Sequence, residues 1–267
     1  MSAFDDTRAT SSEHLTIPTW ANGPDGSGNG GWSASLIAQH VPEPLSGRGV
    51  AVSLRVPPPI GRALRVEVDD RTGEARLLDE DTLVASALPH SVTVEVPHAA
   101  RAITLEIARG ASAGFPFRDH HPFPRCICCG IAREADQPSL EIHCGAVDGV
   151  TAPDAAGADV PVYADVWEPH ADVADADDLE QACVAACWSA LDCPSAAPFA
   201  DGAEARTAVL ARIAVQLDRA ARVGEPHVLV AWQRHIDGRK CFSASALLDA
   251  SGSVLGRAEA LWIEVRS

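Results

Sequence analysis

Basic residues are in short supply. The 267-residue chain carries 21 Lys+Arg against 37 Asp+Glu, a formal charge of −16, and Lys240 is its single lysine. Nucleic acids and anionic membranes both need a basic footprint on the protein, so neither is expected as a partner. Long apolar runs are missing too: nothing approaches the roughly 20 residues of a membrane-crossing helix. The opening MSAFDDTRATSSEH is polar and acidic, unlike a signal peptide. Cysteine is sparse, eight in all, and Cys183, Cys187 and Cys193 lie in or beside an apolar helical segment. That pattern excludes a small secreted disulfide scaffold. These absences predict a reduced, cytoplasmic protein. What is present is a 46% hydrophobic, 22% charged chain, long enough for one large domain or two of ordinary size.

The chain repeats itself. Val52-Ser-Leu54 followed by Gly61 recurs 163 residues on as Val215-Gln-Leu217 followed by Gly224. In each copy an alternating strand comes next, ALRVEV at 63–68 and HVLVAW at 227–232. Leu77-Leu78-Asp79 then matches Leu247-Leu248-Asp249, and Leu83-Val84-Ala85 matches Val254-Leu255-Gly256, at offsets of 170 and 171. Matches in one order, drifting only by residues of turn, point to duplication. In the first unit a Gly-rich turn at 22–31 enters a helical segment, WSASLIAQHV, that Pro42 and Pro44 stop. Strands are expected at about 49–56, 63–70, 73–79 and 82–88, then an Ala-rich, outward-facing helix at about 97–112. The second unit predicts strands at about 139–144 and 161–168, a helix at 178–192, and strands at about 208–219, 226–235, 240–249 and 254–265. The helix LEQACVAACWSALD is apolar all the way round, which means burial on nearly every side. Asp177 and Asp178 stand at its start as expected caps.

Three further stretches carry a family likeness: Asn29-Gly30-Gly31-Trp32 with Ala34 and Ala38; His121-Pro-Phe-Pro-Arg-Cys126-Ile-Cys128-Cys129-Gly130; and Trp188-Ser-Ala-Leu-Asp192-Cys193-Pro194. With them, the sequence resembles the double-hotdog acyl-CoA thioesterase-like proteins, in particular an actinobacterial branch with a His-x-x-Pro-x-Cys-x-x-Cys-Gly element. Ile127 departs from the usual aromatic there, and Cys128 adds a thiol. The resemblance implies an α+β fold of two tandem hotdogs, each an antiparallel sheet wrapped round a central helix. The units are expected at 15–118 and 119–267, behind a tail at 1–14, joined sheet edge to sheet edge. It implies hydrolysis of an acyl-CoA or acyl-carrier-protein thioester, no cofactor, and assembly of such chains into a homo-oligomer. The alternatives are a non-catalytic acyl-binding hotdog and a hotdog dehydratase or hydratase. The last lacks its Asp-x-Asn-x-x-His pattern here.

For the chemistry, the free N–H groups at a helix start can polarise a thioester carbonyl, which singles out Gly30, Gly31 and Trp32. A carboxylate must activate water; Asp192, ending an apolar helix, is the first choice, ahead of Glu180 and Gln181. Asn29, one of only two asparagines, and Asp25 are candidates for positioning water or substrate. Arg62, Arg65 and Arg239, with Lys240, are candidates to hold substrate phosphates. Cys126-x-x-Cys129, with His143-Cys144 downstream and His120-His121 upstream, offers soft ligands. Ligand spacing is incomplete for a zinc ribbon, so no tightly bound metal and no disulfide are expected.

Overall fold

The computed structural model describes residues 13–42, 49–202 and 205–265. Residues 1–12 of the expected tail and Pro44 lie outside these. In chain order the elements are β1 (Glu13–Thr16), α1 (Gly30–Ala38), β2 (Val50–Leu54), β3 (Ala63–Asp69), β4 (Glu74–Asp79), β5 (Thr82–Pro89), the short helices α2 (His98–Arg101) and α3 (Leu105–Ala111), β6 (Gly145–Pro153), β7 (Asp159–Trp167), α4 (Val184–Asp192), α5 (Ala197–Ala200), β8 (Ala208–Leu217), β9 (His227–Asp237), β10 (Lys240–Leu248) and β11 (Val254–Glu264).

All the strands join one antiparallel sheet, in the order β1-β3-β4-β5-β2-β8-β11-β10-β9-β7-β6. Read outward from its middle, each side runs through the same elements: β2, β5, β4, β3, β1 on one side and β8, β11, β10, β9, β7 on the other. The duplicated sequence therefore folds twice into one topology, and β6 is an addition to the second half. The halves meet where β2 pairs with β8, from Val50 opposite Val215 to Ser53 opposite Arg212. The expected strand positions in both meanders hold, because their turns are strongly written: Gly61, Gly73, Gly238 and Gly252 all adopt positive φ.

Alternation divides the strands' side chains between two cores. Leu229 and Leu247 face the inner core with Trp32, Ile37, Trp188 and Leu191 of the central helices. Val228, Val230, Ala246 and Leu248 face the opposite side. That second face explains one departure from expectation. The 97–112 segment is not outward-facing: it breaks into α2 and α3, and Ala100, Ile103, Ala108 and Ala111 are buried on the outer face of the second half's strands.

Two other elements differ from the sequence reading. Residues 139–144 are not a strand of the sheet; Leu140 and Ile142 donate to the carbonyls of Ile127 and Cys128 instead. Helix α4 starts at Val184, not 178, with Cys183 at its N-cap. The Asp-rich stretch before it makes turns: Asp175 accepts from the backbone of Asp177, and Asp178 from that of Glu180. Asp and Asn side chains satisfy nearby N–H groups in turns as readily as at helix caps, so the residue type alone does not separate the two. Among the described residues no helix is long and apolar enough to cross a membrane.

Candidate active site

The two central helices touch at their most polar ends. Asn29 caps α1, its Oδ1 accepting from Trp32 N–H at 2.9 Å. Gly31 then brings the backbone of α1 against the last turn of α4: a Cβ there would lie 2.6 Å from the Trp188 carbonyl oxygen and 2.8 Å from Ser189 Cα. Across this contact Gly31 N–H donates to Asp192 Oδ2 at 2.7 Å.

Asp192 is held from the second half. Ser195 Oγ donates to the Asp192 carbonyl at 2.7 Å and accepts from Trp262 Nε1 at 2.9 Å, while Ser245 Oγ donates to the Leu191 carbonyl. Pro194, lacking an N–H, helps end the helix at this point. The carboxyl is 1% exposed. Burial pushes its pKa up to about 7 against the stabilising bond from Gly31. Its second oxygen, Oδ1, is buried with no hydrogen-bond partner among the described residues.

Asp192 borders a cavity of about 310 Å³. Its apolar walls come from both halves: Leu54, Val56 and Pro58 from the first, Leu210 from β8 of the second, and Phe115 and Phe123 from the stretch between α3 and β6. Asn29, Gly30, Cys126, Cys129 and Cys193 share the border with Asp192. His121 also lines it; its Nδ1 accepts from Phe123 N–H at 2.9 Å, so the proton sits on Nε2, which is buried with no hydrogen-bond partner among the described residues.

The site therefore gathers Asp192, Asn29 and the Gly30–Trp32 turn, and it reassigns several of them. The N–H groups of Gly31 and Trp32 are committed to Asp192 and Asn29, so they are not open to a ligand; only Gly30 N–H has no acceptor among the described residues. Asn29 borders the cavity and is turned toward the sulfur atoms. Its Nδ2 points at Cys193 Sγ, 3.5 Å, and Cys126 Sγ, 3.8 Å. Asp25 is exposed and paired with Arg125, and Glu180 with Arg222; Gln181 bonds to Asp178. The three candidate phosphate anchors stand away from the cavity: Arg62 pairs with Asp79, Arg65 with Glu67, and Arg239 donates to the Glu264 carbonyl. Lys240 lies near Asp237. A surface rich in carboxylates attracts arginines first, which composition alone could not localise. The arginines that do border the cavity are Arg55 and Arg206.

The sulfur cluster is also redrawn. Cys126, Cys129 and Cys193 bring their sulfur atoms within 4.8 Å of one another. Cys144 is buried nearby, while His143 spends its backbone N–H on Asp165, and neither joins the cluster; nor does His120. Cys193 escaped the sequence argument because it sits 67 residues from Cys126. The one available signal was its place directly after Asp192, at the end of the buried helix.

No family model matches the sequence, and no curated protein matches it either. Solved structures do match its fold. The TesB protein of Mycobacterium avium subspecies paratuberculosis is 12% identical, with 94% of this chain and 91% of that one covered and a TM-score of 0.53. A provisionally named thioesterase from Novosphingobium aromaticivorans is 16% identical, covering 99% and 100%, at 0.60. A hotdog-fold protein of unknown function from Alicyclobacillus acidocaldarius is 15% identical, covering 100% and 99%, at 0.54. At such identities the likeness is one of fold. The chain is a tandem-hotdog protein.

Proposed function

We propose that the chain hydrolyses an acyl thioester, with the acyl group in the apolar cavity and Asp192 as general base. The observation that carries this reading is the unpartnered Oδ1 of a buried carboxylate at the edge of an apolar cavity. A buried polar atom without a partner calls for an explanation, and a water held there for proton transfer is one. In the proposed step Asp192 takes a proton from water as the water oxygen bonds to the thioester carbon. The carbonyl oxygen becomes an oxyanion, for which Gly30 N–H and His121 Nε2–H are the unspent donors. The C–S bond then breaks, and the departing thiolate takes the proton back from Asp192. Coenzyme A is the proposed thiol, with Arg55, exposed at the cavity border, replacing the earlier candidates for its phosphates. A carrier protein is the other thiol source.

One observation favours a second reading, a non-catalytic acyl-binding protein: the helix start of α1 has only one free donor left. Incubating the protein with a panel of acyl-CoAs and measuring free thiol separates the two. Thiol release above the uncatalysed rate supports hydrolysis; saturable binding without release supports the alternative.

A further inference from the structure

We propose that Cys126, Cys129 and Cys193 form a metal site, three thiolates binding one zinc-class divalent cation whose fourth position opens on the cavity. This stands on its own, whether or not the chain hydrolyses thioesters. The first support is distance. Cys126 and Cys193 sulfurs are 3.7 Å apart. A tetrahedral zinc with bonds of about 2.3 Å spans an S···S edge of about 3.8 Å. All three sulfur atoms lie within 4.8 Å of one another.

The second support is the turn that holds two of them. Gly130 N–H donates to the Cys126 carbonyl at 2.9 Å, closing a tight loop around Cys126-Ile-Cys-Cys129. A Cβ at Gly130 would come within 2.5 Å of the Cys126 carbonyl oxygen and 2.7 Å of that of Pro124. Glycine is thus required after the second cysteine, and the loop keeps both thiols on one side.

The third support is Asn29. It is 2% exposed, and its Nδ2 lies within reach of both the Cys193 and Cys126 sulfur atoms, with the Asp192 carboxylate the other acceptor close by. Buried amide N–H groups are nearly always satisfied, and a neutral thiol is a weak acceptor. Thiolates are good ones, and metal-bound thiolates held by such outer donors are the usual arrangement. Asn22, the other asparagine, anchors the same loop: its carbonyl accepts from Ile127 N–H and its Nδ2 donates to the Arg125 carbonyl. Both asparagines of the chain therefore serve this junction of the Gly-rich turn with the cysteine loop. The expectation of no metal counted ligands along the sequence; the fold delivers the third from the end of α4.

The test is metal content of the full chain purified without chelators, with cobalt exchanged into the site. We expect about one zinc per chain, and thiolate-to-cobalt charge-transfer absorption of three-thiolate intensity. Cys126→Ser, Cys129→Ser and Cys193→Ser should each lose the metal, while the remote, buried Cys241→Ser keeps it. Asn29→Ala should weaken zinc affinity about 10–100-fold. Absence of metal with no uptake on titration would overturn the proposal. So would a Cys126–Cys193 disulfide in freshly isolated protein, or metal retained in full by Cys193→Ser. If the serine variants fail to fold, the cobalt spectrum of the wild type decides alone: three-thiolate intensity supports the site, and lower intensity refutes it.

Discussion

In the first half of the sheet the buried polar side chains are serines and Asn29; in the second they include two carboxylates, Asp165 and Asp192. The halves share strand order and a buried central helix, so the difference lies in what each helix presents at their contact. Helix α1 contributes its start, with a cap, two glycines and backbone donors. Helix α4 contributes its end, with a carboxyl and a thiol. Duplication thus conserves the layer that buries apolar surface and leaves the polar contact free to diverge. A site built at the seam needs one copy of each part, not two.

The closeness of the two helices is the feature whose loss should matter most. Gly31→Ala places a methyl group against backbone of α4, which cannot move aside, and should cost about 3 kcal/mol or more in denaturant unfolding. A cost under 1 kcal/mol would mean that the helices are not in contact as described.

The second half's other buried carboxylate gives the next effect. Asp165 accepts from the backbone N–H groups of His143 and Val166, yet burial outweighs them and lifts its pKa to about 6. The folded state then binds the proton more tightly than the unfolded one. Its contribution to stability should fall by up to roughly 3 kcal/mol as pH rises from about 4 to about 6, and Asp192, raised to about 7, adds a slope of the same sign that extends to about pH 7. Asp165→Asn should make that slope shallower in urea melts between about pH 4 and 6, leaving the part due to Asp192. An unchanged slope would remove Asp165 as its source.

The first half's cap comes third. Asn29→Ala leaves Trp32 N–H without its acceptor and should lower stability by about 1–2 kcal/mol. The smallest effect sharpens the contrast with Gly31: at Gly110 in α3 a Cβ meets nothing within 4 Å. Gly110→Ala should leave stability equal or raise it by about 0.5–1 kcal/mol.

The meanders were legible because their turns are glycine-marked and their strands alternate; both are local signals. Burial of the helix through Asp192 was legible from its unbroken apolar circumference, and the duplication from ordered matches. The start of α4 was not, since the acidic residues before it serve turns as well as caps. Nor were the contacts that define the site. That Gly31 N–H meets Asp192, and that Cys193 meets Cys126, depends on how two helices cross, and no spacing along the chain encodes it. The burial of the Ala-rich segment at 97–112 is hidden for a related reason. Its small residues give no stripe, yet Ala100 and Ala108 pack closely on a sheet face because they are small.

Asp192→Asn is the most direct test of the proposed base, since the amide keeps the shape and an acceptor for Gly31 N–H. With the acyl-CoA that the wild type turns over best, the variant should lose about 10²–10⁴-fold in kcat while its unfolding midpoint and KM stay close to wild type. Full kcat in the folded variant would contradict the account and leave Asp192 a structural link between the two helices.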